Sequence, residues 1–263
     1  MDYHLHSSHS FDGIQSITEL CQQMTALHVD EICLTEHIEP GHPDISVDIP
    51  PIWDVWLDEI RQMRAMFPSL TIRAGVEIGD NPACRMETMR LLATLPLDYR
   101  LLSLHLVNGI DCYEAERYYS GKTRAQAYRE YAEAKAESIL SWEDFDCVAH
   151  IGYVSRYSPY EEDRPLQYKD APDAFDAIFR HIIRLDKCLE INTSSMAKVG
   201  TLPSESIIRR YIELGGEVFT FGSDAHSVEQ DYRDIERGKE LVRSLGGKYQ
   251  ASFDARKRTC YRI

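Results

Sequence analysis

Seven short apolar or β-branched runs recur along this chain, each followed by a longer stretch with helical spacing, and that alternation restricts the fold more than any other feature. The runs lie at 2–5, 31–35, 70–76, 99–104, 145–149, 187–191 and 217–222. Helical spacing follows near 16–28, 52–67, 83–95, 124–141, 172–186, 203–215 and 229–246. The breakers agree with this division. Pro96 and Gly246-Gly247 stop two of the helices, while Pro203 and Glu205 suit the first turn of a third that Gly215-Gly216 ends. Strand–helix units in series build a parallel sheet covered by helices, and seven of them approach a closed β/α barrel of TIM-like kind. A doubly wound open sheet is the alternative, but no GxGxxG follows the first strand. Without an internal repeat or a Pro/Gly-rich linker, residues 1–263 read as a single domain. The long irregular stretches 38–51, 106–123 and 151–171 each follow a strand, on the side where barrel enzymes build their sites.

The histidines and carboxylates fall in a pattern. His4 and His6 stand two apart in the first strand and share a face. His37, Glu77, His105 and His150 close strands two to five, and Asp224 and His226 follow strand seven. Asp12 lies in the loop after strand one. Of the ten histidines only His9, His28, His42 and His181 lie elsewhere, with His28 and His181 in helical stretches and His9 and His42 in loops beside the site. Imidazole with carboxylate suits zinc, manganese or iron, whereas calcium takes oxygen alone. These nine residues exceed what one ion needs and suit three, at three to four protein ligands each, with Glu77 able to bridge two. Clustered ions point to hydrolysis of a phosphate ester.

Composition narrows the substrate. Against 29 Lys and Arg stand 43 Asp and Glu, a formal charge of −14. Such a balance disfavours binding nucleic acid or an anionic membrane through bulk charge. An anionic substrate must then be drawn locally. Three divalent ions, set against Asp12, Glu77, Asp224 and a bridging hydroxide, leave a local excess of roughly +2. Seven scattered cysteines without a CxxC pair suit buried thiols in a reducing compartment. No apolar stretch is long enough for a membrane span, and Met1-Asp2-Tyr3-His4 opens without a signal-peptide pattern, so a cytoplasmic protein is expected.

Asp2-Tyr3-His4-Leu5-His6, Thr35-Glu36-His37, Gly75-Val76-Glu77, Ser103-Leu104-His105, Ala149-His150 and Ser223-Asp224-Ala225-His226 resemble the motifs of the PHP superfamily (polymerase and histidinol phosphatase), from residue 2 to about 230. Within it the chain is most similar to the histidinol-phosphatases. The resemblance implies a distorted (β/α)7 barrel and three divalent ions. The first would be held by His4, His6, Glu77 and Asp224, the second by Glu77, His105 and His150, the third by Asp12, His37 and His226. Many members carry histidine where this chain has Asp12. The implied activity is hydrolysis of L-histidinol phosphate, a step of histidine biosynthesis, by in-line attack of a metal-bridging hydroxide, with Glu77 and Asp224 as catalytic residues. Arg156, Lys198 and His42 are the expected phosphate contacts, and Tyr113, Tyr118 and Tyr119 are candidates for stacking on the imidazole. Another small phosphate ester, such as a nucleotide, is the alternative substrate. An amidohydrolase also begins with His-x-His, but would want lysine where His105 stands. A non-catalytic metal-stabilised scaffold predicts gaps in the ligand set, and none appear. The oligomeric state is left open.

Overall fold

Residues 1–43 and 52–263 are described by a computed structural model. The strands are β1 Asp2–Leu5, β2 Glu31–Ile38, β3 Thr71–Gly79, β4 Tyr99–Ser103, β5 Leu106–Val107, β6 Ile110–Asp111, β7 Cys147–Val148, β8 Cys188–Asn192, β9 Val218–Gly222, β10 Tyr249–Asp254 and β11 Lys257–Arg262. The helices are α1 Ile17–Ala26, α2 Trp53–Met66, α3 Arg85–Leu92, α4 Ala115–Tyr118, α5 Arg124–Leu140, α6 Tyr153–Arg156, α7 Pro172–Arg184, α8 Met196–Val199, α9 Glu205–Glu213 and α10 Ile235–Ser244.

One sheet runs in the order β1-β2-β3-β4-β7-β8-β9-β10-β11, and its first seven strands are parallel. Those seven are the seven runs read from the sequence. The seventh returns to the first through the parallel bridge Leu5–Ala225, flanked by Asp224 N–H to His4 O (2.8 Å) and His6 N–H to Ala225 O (2.9 Å). At the other end of that seam β10 lies against β9, with Tyr249 opposite Val218, and Phe253 N–H reaches Tyr3 Oη at 2.7 Å. The result is a distorted (β/α)7 barrel whose seam is joined at the C-terminal strand ends and wedged at the N-terminal ones.

Strand parity decides what faces inward. On β3 the residues Ile72, Ala74, Val76 and Ile78 join the outer core beneath the helices, where Trp56, Ile60 and Met63 of α2 also pack. Arg73, Gly75, Glu77 and Gly79 take the other face. The lower interior is apolar, built from Tyr3, Cys33, Tyr99, Leu101, Cys147, Ala149, Cys188, Ala251 and Phe253. On α7, Phe175, Ile178, Phe179 and Ile182 recur at helical spacing and complete the outer layer on that side. Ser16 with Glu19 and Thr123 with Gln126 form capping boxes that start α1 and α5.

Several expectations change. Pro203 precedes the Ser204 N-cap instead of occupying the first turn of α9. His28 lies just past α1 with φ 55°, outside the helix. The hairpin β10–β11 had no counterpart in the sequence reading. The stretch 106–123 holds the small β5–β6 hairpin and α4, and 151–171 holds α6. Of the stretch 38–51, residues 44–51 lie outside the described residues. Among the described residues, no helix is long and apolar enough to cross a membrane.

Candidate metal centre

The C-terminal strand ends bring His4, His6, Glu77 and Asp224 to one point. His4 Nε2 lies 3.1 Å from Glu77 Oε2 and 3.5 Å from Asp224 Oδ1, and His6 Nε2 lies 3.5 Å from each of the same two atoms. Tetrahedral bonds of about 2.0–2.1 Å to zinc place neighbouring ligand atoms roughly 3.3–3.4 Å apart, so this set has the spacing of a coordination shell. His6 Nε2 is buried without a hydrogen-bond partner, which such a set would otherwise not tolerate. The donors therefore fit a divalent ion.

Local structure explains the convergence. Asp2 faces Ile32 and Leu5 faces Leu34, so three steps along β1 match two along β2. This bulge lets Tyr3 and His4 both turn inward while Leu5 joins the outer core. Asp224 stands at φ 53°, an unusual backbone for a non-glycine residue, and clusters of such residues mark functional sites. Behind His4, Nδ1 donates to Glu190 Oε1 at 2.5 Å, and Glu190 Oε2 accepts from His150 N–H at 2.5 Å. Gly222 makes room for this pair, since a Cβ there would lie 2.4 Å from His4 Cβ and 2.6 Å from Glu190 Oε1.

Glu77 faces two ways. Its Oε1 lies 2.7 Å from His150 Nε2 and 3.3 Å from His105 Nε2. Further out, Asp12 Oδ2 is 3.1 Å from His226 Nε2 and 3.6 Å from His37 Nε2. Seven of the nine sequence candidates thus line one cavity, and the buried His4 and His6 lie directly behind its Glu77 and Asp224. The rings of His37 and His226 stack on His6 at 4.4 and 4.3 Å.

The charges follow the packing. Burial and the adjacent His226 and His37 depress His6 to about 3, leaving its lone pair available. Burial likewise lowers His150 to about 4, against the pull of Glu77. Burial opposes charge on His105 as well, but Glu39 and Glu77 outweigh it and raise the imidazole to about 10. Burial pushes the Asp224 carboxyl up, yet Arg156 and His4 hold it well below the ordinary range. Asp12 is also held low despite burial, by hydrogen bonds from His226 and His37.

Arg156 at the end of α6 reaches into the cavity, with Nη2 2.6 Å from Asp224 Oδ2 and 2.6 Å from Ser194 Oγ, and Nε 3.2 Å from Ser195 Oγ. His42 lines the same cavity, its Nε2 3.1 Å from Asp111 Oδ2, and Tyr153 Oη donates to Asp111 Oδ1 at 3.1 Å. Lys198 departs from expectation. It sits on the one-turn helix α8, exposed, and is not among the residues lining the cavity, because α8 turns it outward. Tyr118 and Tyr119 are buried and bond the carbonyls of Ala127 and Val154, so they serve packing. Tyr113 is exposed and packs edge-on against Tyr157, a lining residue. His181 bonds Trp142 O, and His9 bonds Glu59.

Three contributors carry no chemistry in the sequence reading: Glu39, Glu190, whose stretch reads only as the close of strand six, and Asp111. Inward parity was the available signal for the first two, since Glu39 follows His37 by two residues and Glu190 precedes Asn192 by two on β8.

Comparison with known proteins agrees with this geometry. The PHP domain model matches residues 2–194. A histidinol-phosphatase of Lactococcus lactis subsp. lactis (strain IL1403) is 28% identical over 262 residues, covering 98% of this chain and 95% of the relative. A Clostridium acetobutylicum protein named "Probable histidinol-phosphatase" is 31% identical over 86% of both chains. The crystal structure of the Lactococcus lactis histidinol phosphate phosphatase, complexed with zinc, L-histidinol and phosphate, superposes with a TM-score of 0.91 over 98% of each chain at 28% identity.

Proposed function

The chain belongs to the PHP domain family, and on that premise we propose that it is a metal-dependent phosphomonoesterase that hydrolyses L-histidinol phosphate to L-histidinol and phosphate. The observation that carries this reading is the run of metal-capable histidine and carboxylate groups at and beneath a cavity that Arg156 also lines. The full-length likeness to a histidinol phosphatase bound to zinc, histidinol and phosphate supports the choice of substrate. Three ions are proposed, as zinc, manganese or iron, held by the nine residues named above. Bound there, divalent ions supply charge neutralisation for the phosphoryl oxygens and an acidified water for attack.

The chain's own residues supply orientation. Glu77 directs one oxygen to the His4–His6 pair and the other to His105 and His150, and so would serve two ion positions. Asp224 does the same between the first ion position and the phosphate clamp: Oδ1 faces His4 and His6, and Oδ2 grips Arg156. That grip holds the guanidinium at the cavity wall as a fixed positive donor for phosphoryl oxygens. His42, anchored on Asp111, is the further phosphate contact. Phe11, Tyr153 and Tyr157 offer aromatic walls for a planar leaving group. A chain of charge −14 is not expected to hold nucleic acid. Seven free cysteines support a cytoplasmic setting.

The test is phosphate release from L-histidinol phosphate, AMP and p-nitrophenyl phosphate, with zinc or manganese supplied. A kcat/KM for histidinol phosphate at least about a hundredfold above the others supports this substrate, since groups placed for one leaving group discriminate at that scale. Equal, slow turnover of all three moves the reading to another small phosphate ester.

A further inference from the structure

Glu39 belongs to none of the nine ligands, yet it touches two of them. Its Oε1 accepts from His105 Nδ1 at 2.7 Å and from His37 Nδ1 at 3.2 Å. With both Nδ1 atoms turned to this carboxylate, each ring is oriented so that Nε2 is the nitrogen left to face an ion. The freed atoms face different partners: His105 Nε2 lies 3.3 Å from Glu77 Oε1, and His37 Nε2 lies 3.6 Å from Asp12 Oδ2. The backbone is built around this carboxylate. A Cβ on Gly79, at the end of β3, would lie 1.9 Å from Glu39 Oε2, so only glycine leaves space for it. By contrast Glu190 holds the imidazole of His4 alone.

Resting on the metal-centre reading above, we propose that Glu39 is a positioning residue that couples the second and third ion positions, by holding His105 and His37 through one carboxylate oxygen. An ion at either position orients the shared carboxylate and, through it, the histidine of the other. The second and third positions therefore fill and empty together, while the position at His4, His6 and Asp224 shares Glu77 with the second but has no tie to the third through Glu39.

The experiment loads the full chain with zinc, challenges it with graded chelator and counts the ions retained by atomic emission. In the parent protein two ions are expected to leave in one step and the remaining one later. In Glu39→Gln, which keeps an oxygen acceptor but not the charge, the two are expected to leave separately and at about ten- to a hundredfold less chelator, the usual cost of losing such a partner. Gly79→Ala, which displaces the carboxylate without altering any charge or ligand, is expected to do the same. Glu190→Gln, which touches His4 and the His150 backbone but neither ring held by Glu39, is expected to leave two ions departing in one step. A merely structural role for Glu39 would weaken all three ions alike, or none. Identical release from the parent, Glu39→Gln and Gly79→Ala, with ions bound, overturns the coupling alone. A parent protein that takes up no zinc overturns the metal-centre reading and the coupling together.

Discussion

The metal centre has two unlike halves. The inner half hangs on strand ends: His4, Glu77, His150 and Asp224 have side chains between 0 and 5% exposed, and glutamate and glycine stand behind them. The outer half draws Asp12 and His226 from loops, and their side chains are 37 and 24% exposed. Strands under a packed interior cannot shift without disturbing the core beneath, so the inner ligands are held before any ion arrives. Loop ligands exposed to water pay more ordering entropy and lose more of their attraction to solvent screening. The same residue chemistry is thus rigidly preorganised at one end and more exposed at the other.

The largest expected effect tests the inner half. Glu77→Gln removes the bridging charge shared by two positions, and phosphate release is expected to fall about a thousandfold or more, with no recovery in excess metal. Recovery would break the comparison. Next comes Arg156→Lys, expected to lower kcat/KM by about a hundredfold or more, because a point charge cannot reproduce the fork pinned by Asp224, Ser194 and Ser195.

Support behind the inner half also has a cost, and Lys135 shows it. This side chain is 1% exposed, and its Nζ has no hydrogen-bond partner. Burial lowers it to about 8, against the pull of Glu77 and Glu190. The folded state therefore disfavours the ammonium below about pH 8, and the penalty disappears as pH rises toward the unfolded value near 10.5. Lys135→Met is expected to raise unfolding stability at pH 7 by about 3 kcal/mol, and by progressively less from pH 8 to about 10.5. Urea titrations across that range check it.

At the outer half, Asp12→Ala is expected to lose about ten- to a hundredfold of activity at limiting metal and to regain most of it when metal is raised. Irreversible loss would erase the distinction between the halves. The smallest effect is that of Lys198→Ala, expected to stay within about twofold because the side chain is exposed and outside the cavity.

Much of this arrangement was legible because two periodicities coincide. Alternation along β2, β3 and β4 sends every second residue inward, and an inward residue near the end of each strand carries the chemistry: His37, Glu77 and, just past β4, His105. What escaped notice has physical reasons. Glu39 and Glu190 carry the same inward parity, but a lone carboxylate near a strand end is indistinguishable in sequence from a solvated one until its histidine partner is located. The β10–β11 hairpin was hidden because its two-residue turn, Ala255-Arg256, lacks the Asn-Gly or Asp-Gly expected where both φ values are positive. Asp98 compensates from outside the hairpin, accepting Ala255 N–H at its Oδ1 and Arg256 N–H at its carbonyl. Lys198 misled for the opposite reason: its position after a strand was right, but one turn of α8 points it away.

The seam between β1 and β9 sets an order of events during synthesis. His4, His6 and Asp224 meet across it, so the first ion position joins an early part of the chain to a late one. At ordinary elongation rates, Asp224 emerges from the ribosome roughly 220 residues after His4, a wait on the order of ten seconds or more. Through that interval the nascent chain carries loose imidazoles and no finished cage. At this first position a metal would therefore lock a ring already closing rather than template its start.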